Sequence, residues 1–278
     1  MFRVALAQVD VVLGDPDANL GNIAKVVSEA ARQGAELVVF PELATHGYDL
    51  GAVAGDRSLA AGDPRLAALS VSNPDVVVGF HESAGVRTHN AVAYLSGGAV
   101  VHVQRKLYLP TYLAWEERKH TSPGQSLRAF DTRYGRAAVL VCNDAWQAPL
   151  PWIAAQDGAE ILFVPANSAE DLAPGSVDPE AYWDQLLGWM ARMQQCWVLF
   201  VNRVGTETGA NFWGGSRVLD PSGRVVARAP RAQPSLLFAD IEPAASRRQR
   251  RALPLLAEAR LDLVGREMAR LAAEGGDR

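Results

Sequence analysis

A glutamate, a lysine and a cysteine carry the chemistry of this chain, each placed where an apolar run stops. Glu42 follows Leu37–Phe40 and Pro41 in VVFPELATHGYDL, Lys106 follows Val100–Gln104 in VHVQRKLYLPTY, and Cys142 follows Ala137–Val141 in RAAVLVCNDAW. A side chain just past the C-terminal end of a strand projects beyond the sheet, the place from which α/β folds present reactive groups. Singly, each residue has a plain structural explanation: a solvated carboxylate, a paired surface lysine, a buried thiol. If the three strand ends share one edge, however, the groups meet and make a nucleophilic centre. Cys142 then attacks a carbon bonded to nitrogen, Lys106 lowers the thiol pKa and donates to the oxyanion, and Glu42 takes the thiol proton and later activates water. The turn Asn143–Asp144 puts backbone N–H groups and a positive helix end beside the sulfur, which favours thiolate. A glutamate so close to apolar residues has a raised pKa unless a cation sits beside it.

The elements that must position these groups are legible as alternating apolar runs and helical stripes. Strand patterns cover Phe2–Val9, Leu37–Phe40, Val76–Phe80, Asn90–Leu95, Val100–Gln104, Ala137–Val141, Ile161–Val164, Trp197–Val201, Arg217–Leu219, Val225–Ala227 and Leu236–Ile241. Helical patterns cover Asp17–Gln33, Pro64–Val71, about Pro151 to Asp157, Pro179–Gln195 and a tail from about Ala244 interrupted at Pro254. On the helix after Pro179, Tyr182, Leu186, Trp189, Met190 and Met193 share one side. The first strand, helix and second strand form a β–α–β unit, which predicts a parallel pair. Ser96-Gly97-Gly98 and Asp220-Pro221-Ser222-Gly223 mark hairpins. Glu42 to Asp63 has the composition of a surface loop, and Lys106 to Gly124 is long, aromatic, charged and aperiodic, the type of loop that serves function. Continuous apolar strands mixed with hairpins suit two packed sheets with helices outside.

Composition excludes several roles. The chain has 278 residues, a net charge of −4 and nearly half apolar residues, which argues against nucleic acid or an anionic membrane as partner. The basic run Arg247–Arg251 is expected on a solvated helix face or in a subunit contact. No run approaches the roughly 18 apolar residues of a membrane span, and, with no signal-peptide pattern visible at the N-terminus, export is not expected. Two cysteines, Cys142 and Cys196, make no disulfide framework, so a reduced cytoplasmic setting is expected, with Cys196 in the core. With no internal repeat or linker, residues 1–278 are expected to form a single domain.

The motifs together resemble the nitrilase superfamily of carbon–nitrogen hydrolases over nearly the whole chain. ALAQVDVVLGDPDANL is similar to its first strand and helix start, FPELATHGY to its glutamate motif, RKLYLPTY to its lysine motif, and VLVCNDAW to its cysteine motif. NRVG and FWGGSRVLDPSGRVVARA are similar to its C-terminal blocks. The resemblance implies a four-layer αββα sandwich, no metal or organic cofactor, a thioester intermediate, and subunits paired through helices into a homodimer or a higher homo-oligomer, with the tail from about residue 244 in those contacts. It also implies a second glutamate in the loop after the lysine: of Glu116 and Glu117, spacing to Pro123-Gly124 favours Glu117, which would orient Lys106 and the substrate nitrogen, the alternative being a pairing with Arg118 or Lys119. The Asn143 backbone N–H is the implied second oxyanion donor, and Tyr48, Tyr112, Trp146 and Asn167 are expected to line the pocket.

Departures from the family pattern narrow the substrate. Gln194-Gln195 stand where many members carry Glu-Asn. Ala145-Trp146 stand where N-carbamoyl-D-amino-acid hydrolases carry paired arginines, and the Trp-Glu that follows the cysteine of nitrilases is absent. A small amide hydrolysed to release ammonia or an amine is therefore the leading expectation, with a carbamoyl compound or nitrile as alternatives. A papain-like Cys–His hydrolase would need one of His46, His81, His89, His102 or His120 as base, and none stands in such a context. A non-catalytic binding protein that keeps the fold is the alternative of a different class; the presence of Glu42, Lys106 and Cys142 ranks it below an enzyme.

Overall fold

The computed structural model describes residues 1–72, 74–112, 115–170 and 178–275. In chain order the strands of the first half are β1 (Phe2–Gln8), β2 (Leu37–Val39), β3 (Leu59–Ala60), β4 (Asp75–Ala84), β5 (Arg87–Ser96), β6 (Ala99–Arg105), β7 (Phe130–Thr132) and β8 (Gly135–Val139). Those of the second half are β9 (Ile161–Ala166), β10 (Ala169–Glu170), β11 (Trp197–Asn202), β12 (Val204–Glu207), β13 (Ala210–Trp213), β14 (Arg217–Leu219), β15 (Val225–Arg228) and β16 (Ser235–Ile241). The helices are α1 (Pro16–Arg32), α2 (Pro64–Ala68), α3 (Pro149–Gln156), α4 (Pro179–Gln194), α5 (Ala244–Ala252) and α6 (Leu261–Ala273).

One sheet has the order β16-β1-β2-β4-β5-β6 with β3 on β4, the other β15-β14-β11-β9-β8-β7, and β10-β13-β12 form a small third sheet. Strand alternation sets the layers. Val4 and Leu6 of β1 meet Val139, Phe163 and Leu199 of the facing sheet, while Ala5 and Ala7 meet Leu20, Ile23 and Val27 of α1. On the far side, Leu162 and Val198 pack against Ala154 of α3 and Leu187 and Met190 of α4. Period-2 side chains divide between the inter-sheet core and the helices, which gives the four-layer αββα sandwich.

Strand direction explains where the reactive groups gather. β1, β2 and β4 are parallel, as are β8, β9 and β11. Two successive antiparallel pairings, β4 with β5 and β5 with β6, return β6 to the direction of β2. The ends of β2 and β6 therefore lie at one edge, together with the beginning of β5.

Several sequence expectations are corrected. The stripe on α4 is offset by one position: Trp183, Leu187, Met190 and Ala191 enter the core, while Tyr182, Trp189 and Met193 stay exposed and only Met190 of the expected side is buried. The start of the expected surface loop, Glu42 to Gly47, is buried, and further along it a 3-10 turn (Leu50–Ala52) and β3 appear. The short pairs β7, β10 and β12–β13 escaped detection because two to four residues carry too little periodicity. Pro149–Gln156 begins two residues before the expected helix, with proline in its first turn. Gln194 and Gln195 are buried, and the Gln195 Nε2 donates to Leu253 O at 2.8 Å, tying the end of α4 to the residue after α5. The basic run, by contrast, keeps the solvated helix face expected of it: Arg247, Arg248 and Arg251 are exposed, with Arg247 paired to Glu160 at 2.6 Å and Arg248 to Glu242 at 2.7 Å. Among the described residues no helix is long and apolar enough to cross a membrane.

Candidate active site

Glu42 is held at the end of β2 by a close approach that glycine permits. A Cβ on Gly79 of β4 would lie 2.5 Å from Pro41 O, so only glycine lets this turn rest against the sheet. Leu43 turns the chain with φ 46° and Thr45 N donates to Gly79 O at 3.2 Å. Lys106 is anchored in the same way. Its carbonyl accepts from Gly124 N at 2.7 Å, and a Cβ on Gly124 would lie 2.6 Å from Arg105 O. The Pro123-Gly124 step thus folds the aperiodic loop back over the lysine, and its 3-10 turn (Glu117–Lys119) delivers Glu117 inward.

Lys106 is 0% exposed and bridges two carboxylates: its Nζ donates to Glu42 Oε1 at 2.6 Å and to Glu117 Oε1 at 2.8 Å. Glu116 instead pairs with Lys119 at the surface. Asn90, missed in the sequence, joins the same two oxygens, its Nδ2 donating to Glu42 Oε1 at 2.7 Å and Glu117 Oε1 at 2.9 Å. The signal that marks it is a polar residue inside a buried apolar strand, directly across the ladder from Lys106, whose N–H donates to Asn90 O at 2.8 Å. The remaining Glu42 oxygen, Oε2, accepts from the Asn167 N–H at 2.8 Å just past β9. Burial opposes the lysine charge, but Glu117 and Glu42 outweigh it and hold the ammonium well above its usual pKa. Burial raises the Glu117 carboxyl toward neutrality against the pull of Lys106.

Cys142 opens a 3-10 turn (Cys142–Trp146) with φ 47°, a strained left-handed conformation that turns the chain sharply off the end of β8. The sequence expectation of a thiolate is corrected. Burial and then the Glu42 charge push the thiol pKa well above its usual range, and the opposing pull of Lys106 and of the Asn167 N–H does not overcome them. The physical reason is burial first and the Glu42 carboxylate, itself paired to Lys106, second. The thiol is thereby favoured over the thiolate, and the Glu42 charge acts on it, so a base must take its proton during attack.

Asp144, also missed, locks the cysteine turn to the lysine loop. Its carboxylate accepts from Leu107 N at 3.0 Å, Tyr108 N at 2.8 Å and Val141 N at 3.3 Å. Burial pushes its pKa up to about 7 against those donors.

The other expected residues divide. Tyr48 packs edge-on against Trp115, with Lys106 Nζ 5.9 Å from its ring centroid. Asn167 is buried, with both side-chain polar atoms unpartnered. Asn143 donates through Nδ2 to Tyr108 O at 3.1 Å and accepts from Tyr112 OH at 3.4 Å, at the surface. Trp146 is stacked on Tyr182 of α4 at 5.4 Å between centroids and edge-on to Trp183 at 5.3 Å. The histidines find partners elsewhere: His46 Nε2 bonds Arg57 O and His89 Nδ1 bonds Ser122 O, while His102 stacks on Phe130. Cys196 is buried in the core, its pKa pushed up to about 11 by burial. Among the described residues no group of His, Cys, Asp and Glu could hold a metal ion.

Comparison with known proteins gives the family of this sandwich. The sequence pattern of the carbon-nitrogen hydrolase family matches residues 3–251, and the chain belongs to that family. It is 26% identical over 269 residues to a citrullinase of Francisella tularensis, covering 90% of this chain and 93% of that protein. It is 29% identical to omega-amidase NIT2 of Mus musculus, covering 94% and 96% respectively. Among solved structures, the NitN amidase from a Nesterenkonia species (strain AN1) superposes with a TM-score of 0.80 at 25% identity, covering 96% of this chain and 99% of that one. The chain also matches glutamine-dependent NAD(+) synthetases but spans less than half their length, 46% for that of Xylella fastidiosa.

Proposed function

We propose that the protein hydrolyses the C–N bond of a small linear amide through a thioester on Cys142. The observation that carries this reading is the fully buried Lys106 held between Glu42 and Glu117 beside the cysteine turn. Burying three charges for stability alone is costly, since apolar side chains of the same volume would serve as well. Glu42 removes the Sγ proton as sulfur attacks the carbonyl carbon, and Lys106 with the Asn143 N–H stabilises the tetrahedral oxyanion. Collapse breaks the C–N bond, and the nitrogen leaves as ammonia or amine with the proton held by Glu42. Water, deprotonated by Glu42, then attacks the thioester, releasing the acid and restoring the thiol. Glu117 holds Lys106 and accepts from the substrate nitrogen. No cofactor enters this sequence.

The relative named citrullinase supports a carbamoyl-type substrate as the second reading. The exposed apolar side of α4 and the wholly exposed α6 support a homodimer or a higher homo-oligomer. Ammonia release across amides, N-carbamoyl compounds, glutamine and nitriles, with Cys142→Ala as control, tests the activity. Release by the wild type alone supports it; no release from any compound counts against it.

A further inference from the structure

Beside the carboxylate–lysine cluster lies a cavity of about 490 Å³, enclosed by the turn after Tyr48, the segment around Glu117 and the β12–β13 hairpin. Its lining is one-sided in charge. Asp49, Glu116, Glu117 and Glu207 reach it, and no lysine or arginine does. Three of these carboxylates are already matched: Glu116 by Lys119, Glu117 by Lys106, and Glu207 by Arg203 at 2.8 Å. Glu207 in addition accepts from Tyr48 N and Asp49 N, which fixes the turn that carries Asp49. Among the described residues the Asp49 carboxylate makes no hydrogen bond or ion pair, and the His120 ring, which also lines the cavity, stands near it across Gly51 without bonding it, so the cavity keeps a negative charge with no bonded partner.

A second, independent feature sits at the inner end. Asn90 is 1% exposed and lines the cavity; its Nδ2 is engaged by the two carboxylates, but its Oδ1 has no partner. Glu117 Oε2, in the same wall, is likewise buried and without a hydrogen bond. Asn90 Oδ1 is an acceptor, and Glu117 Oε2 is one whenever that carboxyl is ionised; a buried acceptor without a donor costs free energy until something supplies one. The faces of Tyr48, Trp115 and Phe212 complete the wall. Acceptors without donors, an unmatched carboxylate and aromatic surfaces together specify a donor-rich cation.

We propose that this cavity is a subsite for an ammonium group carried by the substrate, so that the enzyme prefers amides bearing a free amine over neutral or carboxylate-bearing ones. This rests on the amidase reading and names its substrate class. Ammonia release is to be measured for a neutral amide, an ω-amino amide and an ω-carboxy amide, each at four, five and six carbons. The ω-amino amide is expected to lead the other two in kcat/KM by about tenfold at its best length, a factor worth about 1.4 kcal/mol. Asp49→Asn is expected to reduce the amino-to-neutral ratio by a similar factor. Binding of the same compounds to the Cys142→Ala protein by calorimetry gives a second measure that does not depend on turnover, with the amino amide expected to bind most tightly. Equal or better use of the neutral or carboxylate amide overturns the subsite while leaving the amidase reading intact, as does an unchanged ratio in a folded Asp49→Asn protein. No release from any amide, with no binding to the Cys142→Ala protein, overturns both.

Discussion

Asn90 and Lys106, neighbours at the end of the β5–β6 ladder, donate to the same two oxygens, Glu42 Oε1 and Glu117 Oε1. Two buried carboxylates that would repel each other are thereby held together by one cation and one amide. The amide adds no charge, so it orients the carboxylates without further neutralising them.

Asn90→Asp tests that orientation. A third carboxylate beside Glu117 raises its pKa further, as burial and the Glu42 charge already do, and Glu117 must be ionised to hold Lys106. The acid limb of the kcat/KM profile is expected to move up by about one pH unit or more, each unit corresponding to about 1.36 kcal/mol. Asn90→Ala is expected to lower kcat with little movement of that limb. An unmoved limb in Asn90→Asp would show that the amide only fills space.

Cys142→Ala should abolish turnover, and Lys106→Ala should lower kcat by at least about a hundredfold, the scale of losing an oxyanion donor. Because the thiol pKa is raised, alkylation of Cys142 by iodoacetamide is expected to climb steadily with pH above neutrality and not to level off below pH 7. A plateau at acidic pH would mean a resting thiolate and would remove the need for Glu42 as base.

Asp144→Ala leaves the Leu107 and Tyr108 N–H groups without their acceptor. At about 1–3 kcal/mol for each buried unsatisfied donor, denaturant titration should show a clear loss of stability, and activity should fall with it because the cysteine turn loses its tie to the lysine loop. An unaltered midpoint would show that water replaces the carboxylate without cost.

Buried His46 and His81 make the fold acid-sensitive. Burial depresses both pKa values to about 4. A group whose pKa is lower in the folded state stabilises the fold in its neutral form. That contribution is complete above the unfolded value near 6.5 and is lost as pH falls toward 4. Thermal melts are expected to show Tm falling across this window, with a shallower fall in His46→Gln. Parallel curves for the two proteins would exclude His46 as a cause.

The apolar side of α4 is expected to bury against a second copy of the chain. Trp189 is 45% exposed and outside the core, so Trp189→Glu should leave the protomer folded while size-exclusion chromatography with light scattering shows a smaller assembly. A wild-type monomer would refute the pairing outright.

Strand and helix identity was largely legible in the sequence, because continuous apolar runs and 3.6-residue stripes are local properties. So was the placement of Glu42, Lys106 and Cys142 at strand ends, since each run stops at the residue or one position before it. Glu117 was separable from Glu116 only by its spacing to Pro123-Gly124, and the physical basis of that spacing, Gly124 pressed on Arg105 O, belongs to the folded loop. Asn90 and Asp144 needed the tertiary structure, because their partners lie on other elements and nothing in their own neighbourhoods names those partners. The core side of α4 needed it too: two apolar stripes run along that helix, and only the facing sheet decides which one is covered. The state of Cys142 was likewise a tertiary property. From sequence, Lys106 was a free cation able to lower the thiol pKa; in the fold, burial keeps the proton on sulfur, and Lys106, paired with Glu42 and Glu117, does not overcome it.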